Sequence, residues 1–191
     1  MFSVTMVTRK ASKEIGKTPG GNVARYDQAA MVAALKFAHS NLDGLKVKEL
    51  VDKKGIDGYI NHCALLAATT GVASGMGGAA TLVLGVPADM ANTIAQQFRV
   101  TMAVIYHKTG SYSLSFEEFM KIVAVSLGVE VGTQVVVRVA AEIFKRLTAK
   151  IAGKFVPILG GVIGGGLNYG FITAQGKALL ALDFDKLSSS S

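Results

Sequence analysis

Hydrophobic positions in this chain recur at helical rather than alternating spacing almost throughout. Tyr26, Ala30, Ala33, Ala34, Phe37 and Ala38 share one face of a helix predicted over residues 23–42, with Asn22 as N-cap and Gly44 as a left-handed C-cap. A short polar helix, Leu45–Lys54, stops at Gly55, and Asp57 or Gly58 opens the next stretch. Pro87 and Asp89 suit the first turn of a helix that runs to Lys108 and ends at Gly110. Ser115 with Glu118 matches a capping box, predicting a helix that continues to Lys150 and presents Gly128 and Gly132 as a flat groove. A closing helix ends near Asp183, and only Phe2–Thr8 looks like a strand. The expectation is an all-α fold, a compact bundle of six or seven helices with Gly-rich close packing. It occupies residues 22–187, behind a flexible basic arm, residues 1–21.

Two stretches interrupt the amphipathic pattern. Residues 58–88 carry no formal charge, yet they are mostly Ala, Gly, Thr, Ser and Met, with a centre at Gly71–Gly78 rich in helix breakers. Two buried helices meeting at a Gly-rich corner fit this better than one membrane span. Residues 155–176 form the second uncharged run. There Gly160, Gly164 and Asn168 recur every four residues and fall on one helix face. Glycine lets a second helix approach closely, and Asn168 can hydrogen-bond across such a contact. Each helical glycine costs about 1 kcal/mol relative to alanine, so close packing or a bound apolar chain has to compensate.

Composition narrows the function classes. The chain is 50% hydrophobic and 17% charged with a mean hydropathy of +0.41, which excludes a disordered tail. One cysteine excludes a disulfide-stapled secreted scaffold and fits a reducing cytoplasm. The amino terminus lacks the order of a secretory signal. A net charge of +7 suits anionic partners, nucleic acid or the inner face of a membrane. The aromatics lie inside apolar stretches rather than among basic residues, which disfavours nucleic acid. Arg146, Lys150 and Lys154 repeat every four residues with Lys145 adjacent, while Ile143, Phe144, Leu147 and Ile151 take the other side. A basic amphipathic helix leading into a Gly-rich helix suits lipid: phosphate contacts outside, acyl chains inside.

No catalytic constellation, metal site or cofactor is expected. The segment Ala11–Thr18 approaches a phosphate-binding loop, but Pro19, Gly20 and Gly21 stand where its helix must begin. Gly75, Gly77 and Gly78 lack the strand–helix–strand context of a dinucleotide site. His62 and Cys63 are adjacent and so diverge on a helix, which makes Cys63 a buried, inert thiol. His39, His62 and His107 show no metal-ligand spacing, and Asp183 with Asp185 is too common a pair to signal one. Glu117 and Glu118 belong to a cap, and Glu142 can pair with Arg138 and Arg146.

Three stretches resemble the EcsC family of bacterial proteins: Gly71–Gly78 running to Val86, Pro87, Ala88 and Asp89; the helix to Tyr106 with Gly110; and Val156–Pro157 through Asn168 and Tyr169 to Phe184. The likeness covers residues 58–184. It implies bacterial membrane association, in one lineage with an ABC-transporter operon, and offers no established catalytic residues to carry over. The leading expectation is a non-enzymatic peripheral membrane or lipid-binding domain in the bacterial cytoplasm, on the inner face of the membrane. An acyl chain, fatty acid or other long apolar ligand would lie among Gly71, Gly75, Val86, Gly160, Gly164, Asn168, Tyr169 and Ile172, and head groups would meet Lys145, Arg146, Lys150 and Lys154. The alternative is a protein-interaction module regulating a membrane transporter or protease through the same Gly-rich faces. An integral membrane protein spanning with residues 62–86 and 155–176 ranks third, and a hydrolase using Cys63 or an unseen carboxylate pair last.

Overall fold

A computed structural model describes residues 28–69, 88–152 and 160–184, and among these the chain is all-helical, with no strand. Six helices form the bundle: α1 (Gln28–Ser40), α2 (Gly44–Ala68), α3 (Ala88–Thr109), α4 (Phe116–Leu127), α5 (Val135–Ala152) and α6 (Gly160–Leu180). The basic arm, Asn22, the strand-like Phe2–Thr8 and the Gly71–Val86 corner lie outside the described residues.

Helix α3 is the axis. From Met90 to Ile105 every side chain is buried except that of Arg99, which is half-buried. Helices α2 and α6 pack along α3 and against each other, and α1 covers a further side. The carbonyls of Leu66 and Ala67, at the end of α2, accept from Asn92, in the first turns of α3, and from Asn168, partway along α6. At the opposite end of α3 the Tyr106 hydroxyl donates to Asp52, 2.9 Å away. The second half of α2 therefore runs antiparallel to both neighbours. Helices α4 and α5 pack together, α5 also against α1, and Phe119 of α4 meets Phe98 of α3 edge-on at 5.0 Å between centroids.

Local chemistry explains most boundaries. The Ser115–Glu118 capping box is present in both directions, and Gly110 ends α3 with φ +72°. Gly55 breaks α2 with φ 70° and ψ 164°, a conformation essentially restricted to glycine. The break bends α2 into two arms, as the Leu45–Lys54 reading expects. Lys48 and the Tyr106 hydroxyl both bond Asp52, which fastens the first arm to α3.

Three expectations are corrected. Gly44 is not a left-handed C-cap: it opens α2, whose N-cap is Asp43 accepting from the Lys46 N–H at 3.0 Å. The helix begun at Phe116 does not reach Lys150. Gly128 takes φ +71° and caps α4, with the Val129 N–H bonded back to the Ala124 carbonyl at 2.8 Å. Gly132 then lies in the connection to α5, where an added Cβ would meet nothing within 4 Å, so Gly128 and Gly132 form no groove. Glu142 pairs with Arg146 and Lys145, whereas Arg138 pairs with Glu130.

A close helix approach occurs at Gly176 of α6, where a Cβ would sit 2.9 Å from two side-chain carbons of Ile60 on α2. Gly170 faces open space. Gly176→Val should cost about 1–3 kcal/mol in urea unfolding by overpacking this contact. Gly170→Ala should stabilise by about 0.5–1 kcal/mol, because alanine replaces glycine in a helix without a clash.

His39, at the end of α1, packs edge-on against Phe116 and Phe119 of α4, and burial holds its pKa below the ordinary histidine value despite Glu117. Burial likewise lowers His62, followed by the charges of Lys54 and Arg99. Both groups bind protons more readily in the unfolded chain, so their contribution is fully present above a pH of about 6.5 and is lost as pH falls through the folded values. A double variant, His39→Phe with His62→Gln, should flatten the fall of the urea midpoint between about pH 6.5 and 5. An unchanged slope would place that acid sensitivity on other groups.

Candidate functional site

Helix α3 buries Asn92, Thr93, Gln96, Gln97 and Thr101, an unusual load for a central helix. An amide left without a partner in such a place costs about 1–3 kcal/mol, so where each one bonds decides how the neighbours sit. On the side facing α2 the bonds form a relay. Arg99 Nη1 donates to Gln96 Oε1 at 3.5 Å, Gln96 Nε2 to Asn92 Oδ1 at 3.1 Å, and Asn92 Nδ2 to the Leu66 carbonyl at 2.8 Å. Spacings of three and four residues line these groups along one face of α3. The relay ends on a carbonyl in the last turn of α2, where helix carbonyls lack intrahelical partners.

On the side facing α6, Thr101 Oγ1 donates to the Gln97 carbonyl at 2.9 Å and accepts from Gln175 Nε2 at 3.4 Å. Both amide atoms of the fully buried Gln97 have no partner among the described residues, nor do Gln175 Oε1 and Thr173 Oγ1. This second seam is incompletely bonded among the described residues.

The end of the bundle where α2 stops and α3 and α6 begin is poor in charge. Asn168 Nδ2 donates to the Ala67 carbonyl at 2.9 Å, and the Tyr169 hydroxyl donates to Asn61 at 2.8 Å. Beside these bonds Leu65 and Leu167 are 51% and 47% exposed, with Leu66 and Tyr169 partly exposed. Residues 70–87, which join α2 to α3, and 153–159, which lead into α6, contain one charged residue between them, Lys154.

Of the predicted apolar-ligand residues, the structure places Asn168 and Ile172 in the core and Tyr169 at this rim. Asn168 bonds across a helix contact, as its spacing suggests. Its partner Ala67 is the next-to-last residue of α2, so the same α6 face one and two turns earlier, at Gly164 and Gly160, extends past α2. What surrounds Gly160 and Gly164 lies outside the described residues, as do Gly71, Gly75 and Val86. In the basic group, Lys145 is exposed with its Nζ 3.6 Å from Glu142. Arg146 is engaged inside: Nε bonds Glu142 at 2.7 Å, Nη2 bonds the Leu127 carbonyl at 3.0 Å, and its guanidinium lies over Phe171. The Lys150 side chain and Lys154 lie outside the described residues.

Sequence reasoning passed over Arg99, the one charged residue between Asp89 and Lys108. A lone charge inside an otherwise neutral helix was the available signal. Cys63 is 1% exposed, and burial pushes its thiol up to about 11, so it does not supply a thiolate at neutral pH. Among the described residues no group of three His, Cys, Asp or Glu side chains can hold a metal, and no helix is long and apolar enough to cross a membrane.

The two seams respond oppositely to apolar substitution. Gln97→Met keeps the shape and removes an orphaned amide, so it should stabilise the protein by about 1–2 kcal/mol in urea unfolding. Asn92→Leu strands Gln96 Nε2 and takes a donor from the Leu66 carbonyl, and should destabilise by about 1–3 kcal/mol. A loss of stability in Gln97→Met would mean that its amide is bonded in solution. Comparisons with protein-family models, curated proteins and solved structures find no match to this chain.

Proposed function

We propose that this chain is a non-enzymatic helical domain that seats its charge-poor end on an anionic phospholipid surface, the inner face of a bacterial membrane. The observation that carries this reading is the set of exposed side chains Leu65, Leu66, Leu167 and Tyr169 near the end where the two connections, with Lys154 as their one charged residue, join the bundle. The resemblance to EcsC proteins points the same way, and acyl chains would lie against the α6 face that carries Gly160 and Gly164.

Magnitudes favour a reversible, two-part attachment. Fully burying a large apolar side chain is worth about 1.5–3 kcal/mol, and these four are already partly covered, so together they supply about 3–5 kcal/mol. That is comparable to a single myristoyl chain, which binds only marginally and needs a second signal. Basic residues near the surface provide it at about 1 kcal/mol each, falling with salt. Of the predicted patch, Lys145 is exposed beside Glu142 and would serve this role with Lys150 and Lys154, whereas Arg146 holds α5 to the end of α4.

Flotation with phosphatidylglycerol vesicles at low salt tests the proposal. Wild-type protein should float and be released by high salt without detergent. Leu65→Glu with Leu167→Glu should weaken binding by about a hundred-fold or more, the two-carboxylate equivalent of losing about 3 kcal/mol. Lys145→Gln with Lys150→Gln and Lys154→Gln should weaken it by a similar factor on anionic vesicles and little on neutral ones. Wild-type protein that stays at the bottom of the gradient at low salt would refute the membrane reading and favour the interaction module.

A further inference from the structure

Between the two arms that Gly55 separates lies a second feature, with Leu66 on its wall at the side of the charge-poor end. Both arms of α2 face α3 across a small cavity of about 200 Å³, to which the first arm contributes Lys46 and the second Tyr59, His62 and Cys63, with Arg99 from α3. We propose that this elbow is a binding site for a small oxyanion, a phosphate or carboxylate group, held by the Arg99 guanidinium.

Arg99 is the central group. It is half-buried, makes no ion pair with a carboxylate, and has Gln96 Oε1 as its one partner among the described residues. A guanidinium carries five donors in a planar fork that matches two oxygens of a phosphate or carboxylate. The Gln96 contact, itself held by Asn92, fixes the near side of the fork and leaves the other donors for the cavity. The walls suit an anion: Lys46 has no ion pair among the described residues, His62 can donate a ring N–H, and the Tyr59 and Cys63 side chains feel the Arg99 charge. One acidic residue, Asp43, also lines the cavity, with Oδ1 turned back to the Lys46 N–H as the α2 cap. Size limits the occupant. At about 30 Å³ per water the space holds a phosphate with a few waters, or a short carboxylate, and no acyl chain.

The site does not depend on the membrane proposal, because soluble anions and no vesicles test it. Inorganic phosphate, glycerol 3-phosphate and hexanoate are titrated into labelled protein against sodium chloride at matched ionic strength, following the Arg99 Nε–H, His62 ring and Lys46 signals by NMR. At least one oxyanion should give saturable shifts confined to these groups. Arg99→Gln should weaken that binding by about ten-fold or more, Arg99→Lys by less, since a point charge replaces the fork, and Asp43→Asn, which preserves the cap, should tighten it. Helical content and the urea midpoint report whether each variant is folded, and Arg99→Lys serves should Arg99→Gln fail to fold. Saturation by inorganic phosphate supports a free anion, and saturation by glycerol 3-phosphate alone supports a phospholipid-type head group. Saturation by hexanoate alone supports a carboxylate. Shifts that track chloride for all three probes, or oxyanion affinity unchanged in the Arg99 variants, would overturn the proposal.

Discussion

Helix α3 is buried on nearly every side while carrying five polar side chains in its middle, and that burial constrains everything around it. A buried polar group cannot be left to water, so those that reach another helix fix that neighbour at hydrogen-bond distance. Asn92 fixes the end of α2 through the Leu66 carbonyl. Thr101 fixes α6 through Gln175. Asn168 then ties α6 to α2 at Ala67, which closes a triangle of three helices by polar bonds as well as apolar packing. Apolar contact alone would let these helices slide or rotate; the amides specify one register.

The same arrangement separates two environments along α2. Its last turn presents exposed Leu65 beside connections whose one charged residue is Lys154, whereas the cavity between its two arms, with Leu66 on its wall, gathers Arg99, Lys46 and His62. One helix therefore borders an apolar rim and a basic elbow, and Gly55 makes that possible. With a side chain at Gly55 the φ of 70° and ψ of 164° would be strained, and a straight α2 would carry Lys46 and Val47 away from Cys63. The Lys48–Asp52–Tyr106 trio holds the bend from outside.

Features that depend on one or two residues were legible in the sequence. The Gly55 break, the Gly110 stop and the Ser115–Glu118 box each follow from local backbone chemistry, and the all-α bundle follows from the spacing of apolar residues. The segment around Gly128 was not, because two glycines four apart describe equally well a helix face and a left-handed cap followed by a turn. The Val129–Ala124 bond that decides between them is visible only in the fold. Arg146 misled for a similar reason. Its position in a four-residue basic repeat suggests a surface, but the α4–α5 connection turns α5 back so that the guanidinium reaches the Leu127 carbonyl. The elbow was illegible as a site because its walls come from residues 46, 59, 62 and 99, which no spacing rule associates.

Two groups on α3 remain under-bonded, and they differ in a way that separates structure from function. Gln97 is fully buried beside other unpartnered atoms, and an apolar residue of its size would serve the core better. Arg99 is only half-buried, and its under-bonded fork borders a cavity rather than packed side chains. A leucine there would pack against Val47, Leu50 and Leu66, the apolar part of the same wall. Losing hydration on a guanidinium with no carboxylate partner among the described residues is a cost of some kcal/mol in a domain whose whole stability is about 5–15 kcal/mol. Local choices that lower stability without a compensating bond concentrate at functional sites. Arg99, unlike a packed amide, borders a cavity whose size and charge suit an oxyanion.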